Sequence, residues 1–147
     1  MSNFASVEAE QAVLGSMLID SGCVRRVAAI LRESDFSVAL NQDLYRVIVT
    51  MDRGGQPIDG LTVCAEALRQ SLAEEKTLRK YLAQLMEITP TAANVEMYAD
   101  IVARTARRRE LKTALEDGLA ALADQAPEDE VLTQLDAAMT ASSQRLE

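Results

Sequence analysis

The side chains best suited to binding a charged partner form one basic cluster: Arg104, Arg107, Arg108, Arg109 and Lys112. Binding a nucleic-acid backbone requires several such charges on one face. Three of the arginines are consecutive, so a helix would spread them around its circumference, and no aromatic residue lies between them to stack on bases. The chain also has a net charge of −8. These features argue against direct DNA binding, and we expect salt bridges to an acidic helix instead.

Catalysis has no positive support among the residue types, although carboxylates are plentiful and counting alone does not exclude a catalytic Asp/Glu pair. Without histidine, the chain can form neither a histidine-dependent triad nor a Cys/His zinc site. Cys23 and Cys64 are far apart and outside any CxxC motif, as expected of free buried thiols in a reducing cytosol. The acidic run 128–130 follows Pro127, and both features are typical of a helix start rather than a metal site.

A phosphate-binding loop for ATP is also missing from the sequence. Such a loop needs glycines followed by Lys and then Ser or Thr, after a strand, and no glycine in the chain precedes a lysine. The pair Gly54-Gly55 is followed by Gln56-Pro57, which indicates the end of a helix. We therefore expect no catalytic site, no metal and no cofactor in this chain.

The elements that position these residues are predicted to be helices throughout. The 147 residues are 48% apolar but only 3% aromatic, which favours helices over a β-sandwich. The length fits one domain. No apolar stretch approaches the ~18 residues of a membrane span, and residues 1–6 lack the basic start and apolar region of a signal peptide. We expect a cytoplasmic, all-α protein.

Apolar periodicity and breaking residues divide the chain into two parts. Helices are predicted over residues 7–19, 23–31, 42–51, 61–72, 77–88 and 92–123, with a last helix beginning near 127. Residues 1–90 would form a compact helical body, with Phe36 filling its core, and residues 91–147 an antiparallel helical hairpin. The helix over 92–123 would be about 45 Å long, so its second half must pack outside the body.

Apolar side chains recur along the hairpin with helical spacing. They are Leu111, Leu115, Leu119 and Leu122 on the first helix, and Leu132, Leu135, Met139 and Leu146 on the second. One interpretation is that they join the two helices of the hairpin. The other, which we favour, is a site for self-association or a partner, because a two-helix hairpin cannot bury both of its faces internally and exposed apolar surface marks interaction sites.

A series of motifs in this chain resembles the N-terminal domain of DnaB-type replicative helicases. Residues 8–15 (EAEQAVLG) are similar to the opening motif of that family. Further matches follow in order: Asp35-Phe36, residues 55–59 (GQPID), Tyr81-Leu82, residues 90–94 (PTAAN) and residues 98–102 (YADIV). The resemblance covers about residues 7–112, and the hairpin beyond them follows it more loosely. Two departures are the segment 73–77, where the family often has Gly-Gly, and Gly60, where it usually has an apolar residue.

The resemblance implies a collar domain rather than a motor. In this family the domains pair through their hairpins and form a ring of three dimers above an ATPase ring. The hairpin region receives the helicase-binding domain of primase and, in some systems, a helicase loader. For this chain it implies a dimer or trimer of dimers, and we expect Leu111, Leu115, Leu119, Leu132, Leu135 and Met139 of the apolar stripe to form the contacts. Arg107, Arg108 and Arg109 would orient an acidic partner, and ATP with Mg²⁺ would matter only if a motor domain were joined.

Three other interpretations stay open at the level of the sequence. The chain could be the first part of a full 5′→3′ helicase, active in unwinding only when joined to its motor. It could be a stand-alone regulator that binds the collar of a host's full-length helicase. It could also be a generic helical adaptor unrelated to replication.

Overall fold

Seven α-helices and two short 3-10 helices make up the regular structure of residues 4–144, the part of the chain that the computed structural model describes. The α-helices are α1 Val7–Ile19, α2 Val24–Ile30, α3 Ala39–Arg53, α4 Gly60–Arg69, α5 Glu75–Glu87, α6 Val95–Ala123 and α7 Glu128–Gln144. The 3-10 helices are Ser21–Cys23 and Glu33–Asp35. No strand occurs within residues 4–144. The all-α prediction is therefore confirmed.

The first helix, α1, lies at the centre of the body and packs against α3, α5 and α6. Ser6 caps it, because the Ser6 hydroxyl accepts a hydrogen bond from the Ala9 N–H at 3.3 Å. Gly15 allows the end of α5 to approach closely. A Cβ atom at Gly15 would overlap the Thr89 hydroxyl and the Leu85 carbonyl oxygen. The contact between α1 and α5 thus depends on the absence of a side chain at this position.

The turn between α2 and α3 delivers Phe36 to the core. Phe36 is fully buried, and its ring centroid lies 4.8 Å from that of Tyr45. The Tyr45 hydroxyl donates to the Leu31 carbonyl at 2.9 Å, and burial raises the pKa of Tyr45 to about 12. The prediction that Phe36 fills the core is confirmed.

A buried carboxylate connects α1 to α3 and α5. Glu10 is only 1% exposed; it accepts hydrogen bonds from the Ser37 N–H at 3.0 Å and from Asn41 Nδ2 at 3.1 Å. The Asn41 side-chain oxygen in turn accepts from the Tyr81 hydroxyl, and burial raises the pKa of Tyr81. Because a buried charge is costly unless it is hydrogen-bonded, this network fixes how the three helices sit together.

The long helix α6 belongs to both parts of the molecule. Its first half packs against α1 and α2 and buries Val95, Ala99 and Val102. Its second half packs against α7, and the helix pair α6–α7 is the predicted hairpin. The expectation that this second half packs outside the body is confirmed. The division of the chain at residue 90 stays a prediction.

The hairpin turn ends α6 with a residue in the left-handed region. Gln125 has a φ of +64°; its N–H donates to the Leu122 carbonyl, while the Ala126 N–H donates to the Ala121 carbonyl at 2.9 Å. This pattern is a Schellman motif, in which glycine is the favoured residue at the position of positive φ.

We expect the change Gln125→Gly to raise the free energy of unfolding by about 0.5–1 kcal/mol, because it removes the steric cost of the left-handed conformation. Urea denaturation followed by circular dichroism measures this. The matched control Ala123→Gly, at the last residue of α6, should lower stability instead. A loss of stability in the Gln125 variant would contradict the turn geometry.

Candidate protein-interaction surface of the hairpin

Six apolar side chains of the hairpin point into solvent. They are Leu111, Leu115, Leu119 and Leu122 on α6 and Leu132 and Met139 on α7, each between 40% and 70% exposed. We call these six residues the leucine face. Their exposure means that they do not hold α6 and α7 together. Leu146, predicted on the same stripe, lies outside the described residues.

A different set of side chains holds the two helices of the hairpin together. Leu135 of α7 packs over Gly118 of α6, where an added Cβ would lie 3.5 Å from the Leu135 Cδ2 atom. Val131 is 4% exposed. Leu135 is therefore the member of the predicted stripe that packs within the hairpin. Apolar periodicity did not predict that Val131 and Gly118 pack here, although a glycine inside a long helix is itself a signal of close helix packing.

The leucines of α6 and the apolar residues of α7 share one side of the hairpin. At about 100° per residue, the four leucines of α6 lie within about 100° of one another, all on the same side of Gly118. Leu132 and Met139 are rotated about the axis of α7 by about 40–60° from Leu135. Counted along the chain, this rotation has the same sign as the rotation of the α6 leucines from Gly118. Because the two helices are antiparallel, both sets project from the same face, so the leucine face is one surface and not two.

The basic cluster lies at the base of the hairpin, beside the body. Arg104 pairs with Asp100 at 2.6 Å and Lys112 with Glu116 at 3.7 Å, both within α6. Lys112 Nζ also lies 4.9 Å from the centroid of the Phe4 ring. Among residues 4–144, no carboxylate of α7 pairs with the cluster.

The prediction of salt bridges between the basic cluster and the acidic helix is therefore wrong for the part of the chain that the structure describes. The reason is the antiparallel register of the hairpin. The acidic run 128–130 begins α7 at the tip, whereas the basic cluster lies at the base, opposite the carboxyl-terminal end of α7.

The three consecutive arginines have different environments. Arg109 donates to the carbonyl oxygens of Phe4 and Asp35, each at 2.6 Å, so it fastens the base of the hairpin to the body. Arg107 is half-buried and Arg108 is exposed, and neither forms an ion pair within residues 4–144. Arg108 lies on the same side of α6 as the leucines.

Among the described residues, no three His, Cys, Asp or Glu side chains are grouped to hold a metal ion. Within the same range, none of the helices has the length and apolar character to cross a membrane. The leucine face is the surface whose exposed side chains best indicate a function.

Comparison with known proteins finds a family model and relatives that match most of this chain. The family model described as "DnaB-like helicase N terminal domain" matches residues 2–104. The replicative DNA helicase DnaB of Geobacillus stearothermophilus is 39% identical over 110 residues, which cover 74% of this chain and 24% of that protein. The replicative DNA helicase DnaB of Mycobacterium leprae is 40% identical over 106 residues, 72% of this chain and 18% of that protein. The chain thus spans at most about a quarter of these relatives.

A solved structure matches the hairpin as well as the body. The crystal structure of the N-terminal domain of DnaB helicase from Mycobacterium tuberculosis has a TM-score of 0.87 and 32% sequence identity to this chain. The match covers 95% of this chain and 98% of that one. Since the family model ends at residue 104, the structural match is what extends the likeness over the hairpin.

Proposed function

The chain belongs to the family of DnaB-like helicase N-terminal domains, and we propose that it is a collar domain of DNA replication that joins further copies of itself through the leucine face. The observation that carries the proposal is the exposure of six large apolar side chains on one side of the hairpin. Leu135 supports that surface from beneath by packing in the seam over Gly118.

Burial of the leucine face supplies enough free energy for association. Fully burying one side chain of this size is worth about 1.5–3 kcal/mol, and two copies would contribute twelve such side chains. Association costs roughly 4–15 kcal/mol of lost translational and rotational freedom. Because these side chains are only 40–70% exposed, covering all twelve is worth roughly 10–20 kcal/mol, so stable association requires most of the face to be covered.

Charge along the hairpin favours an antiparallel pair. Residues 104–112 at the base have a net charge of +4, and residues 113–147, which include the tip, have −7. A two-fold axis through the leucine face places the base of one copy against the tip of the other. Arg108 then faces the first turn of the partner's α7, whereas a parallel pair would set like charges together. Three such dimers would form the ring.

Family membership supports a proposal for the partners of this collar. We propose that the hairpin region receives the helicase-binding domain of primase and, in some systems, a helicase loader or a full-length helicase, with Arg107 and Arg108 available to an acidic surface. The proposed setting is the primosome, in the cytoplasm. Joined to an ATPase motor, the domain would serve a 5′→3′ helicase; on its own it would bind and assemble without unwinding DNA.

The first experiment is the mass of the chain by light scattering on a sizing column, over a range of protein concentrations. We expect a mass near an even multiple of 16.0 kDa, with dissociation on dilution. Co-elution with the helicase-binding domain of primase then tests the partner. A chain that stays monomeric at high concentration would overturn self-association through the leucine face.

A further inference from the structure

Arg109 binds two backbone carbonyls that come from different parts of the body. Its Nη1 atom donates to the Phe4 carbonyl oxygen and its Nη2 atom to the Asp35 carbonyl oxygen, each at 2.6 Å. Hydrogen bonds from a charged donor are stronger than neutral ones. Lys112 adds a contact one turn further along α6, since its Nζ atom lies 4.9 Å from the centroid of the Phe4 ring. We call Arg109 and the two carbonyls the clasp.

The first carbonyl of the clasp belongs to a short segment that leads into α1. Ser6 lies two residues after Phe4 and is buried. Its hydroxyl oxygen accepts a hydrogen bond from the Ala9 N–H at 3.3 Å, and its carbonyl oxygen accepts one from the Glu10 N–H at 3.0 Å. The base of the hairpin is thus connected, through this segment, to the first turn of the central helix.

The second carbonyl reaches the same turn of α1 by another route. Asp35 ends the second 3-10 helix and lies two residues before Ser37. The Ser37 N–H donates to the buried Glu10 carboxylate at 3.0 Å. Two separate segments therefore connect the guanidinium of Arg109 to the first turn of α1. A motion of the hairpin base that breaks the clasp must disturb both of them.

We propose that the clasp is a conformational lock, in which Arg109 holds the hairpin at one angle to the body and couples that angle to the order of the first turn of α1. Arg109 is thus a positioning residue. When the clasp is open, the hairpin is held to the body by fewer bonds and pivots more widely, and the first turn of α1 opens more often. The lock lies within one chain, so it depends neither on self-association nor on a partner.

Hydrogen exchange of backbone amides, followed by NMR, tests this coupling across the chain. Arg109→Ala removes both donors of the clasp. Because a hydrogen bond to a charged group is worth a factor of about ten or more, we expect exchange of the Ala9 and Glu10 amides to accelerate at least about tenfold. Arg109→Lys should accelerate exchange less, since an ammonium keeps the charge but lacks the planar fork that holds both carbonyls. Circular dichroism checks that the helix content is unchanged.

The matched control is Arg104→Ala. It removes the same charge from an exposed position of α6, where the guanidinium pairs with Asp100 of the same helix. Exchange of the Ala9 and Glu10 amides should stay within about twofold of the unchanged chain, because an exposed charge at a distance is screened.

The angle of the hairpin is read from the distance between two spin labels, attached through Gln70→Cys in the body and Asp124→Cys at the tip. Both positions are exposed, whereas Cys23 and Cys64 are buried and should not react. Mixing with an excess of unlabelled chain restricts the measured distances to pairs within one molecule. Adding Arg109→Ala should broaden the distribution of distances, and adding the control change should not.

Two kinds of result would overturn the lock. One is an unchanged exchange rate at Ala9 and Glu10, or an unchanged distance distribution, in the Arg109→Ala variant. The other is an equal acceleration of exchange at the amides of α3, because that pattern indicates a loss of global stability and not the release of a local contact.

Discussion

We expect the double change Leu115→Asp with Leu119→Asp to produce a folded monomer at concentrations where the unchanged chain self-associates. Both leucines are more than 60% exposed, so the substitutions remove no core contact and should leave the helical circular dichroism spectrum intact. In a symmetric pair they would place four carboxylates in an apolar interface. Each leucine is about two-thirds exposed, so lost burial alone is worth about 1 kcal/mol or more for each of the four leucines in the pair and weakens dimerisation by at least about 1000-fold.

A matched control separates the leucine face from a general effect of added charge. Thr113→Asp with Ala120→Asp adds the same two carboxylates to exposed positions of α6 that point away from the leucines. This control should keep the light-scattering mass of the unchanged chain. If the Leu115/Leu119 variant also keeps that mass, the interface lies elsewhere on the molecule.

The second large effect is expected at Gly15, where Gly15→Ala should lower the free energy of unfolding by about 3 kcal/mol. Helix propensity alone predicts the opposite, a gain of about 1 kcal/mol. The added Cβ, however, would overlap the Leu85 carbonyl and the Thr89 hydroxyl and lie 2.9 Å from Thr89 Cβ. A backbone carbonyl cannot rotate away as a side chain can, so α1 and α5 must separate.

Gly118→Ala provides the comparison within the same chain. A Cβ there meets Leu135 at 3.5 Å, an ordinary contact distance, so we expect stability to stay level or rise by up to about 1 kcal/mol. Urea denaturation measures both variants. Adding Thr89→Ala to Gly15→Ala should recover only part of the loss, because the Leu85 carbonyl remains. Equal stability of the two single variants would refute the packing at Gly15.

Helical periodicity predicts the helices of this fold well. It does not predict which side chains pack between two neighbouring helices. It grouped Leu135 with Leu132 and Met139, because all three fall on one broad stripe. A rotation of about 40–60° decides which of them packs in the seam, and only the structure of the helix pair shows that rotation. The exposure of Leu115 and Leu119 agrees with the interpretation that an isolated hairpin keeps an apolar face.

The missed features share one physical cause, which is their dependence on contacts distant in sequence. The net charges of the two hairpin segments predicted that the basic cluster pairs with an acidic helix. The antiparallel register, however, separates Arg104 from residues 128–130 along the hairpin. A carboxylate in the first turn of a helix is favourable on local grounds alone. The role of Glu10 as a buried acceptor for Ser37 and Asn41 depends on residues about thirty positions away.

The continuity of α6 makes the hairpin a lever arm. One uninterrupted helix of 29 residues, about 42 Å long at 1.5 Å per residue, runs from the core of the body to the tip. It contains no proline, and kinks in helices need such a cause. A tilt of the body by about 10° would therefore carry the tip sideways by about 7 Å over that length. In copies paired through their hairpins, a small rotation of one body would therefore displace the neighbouring copy.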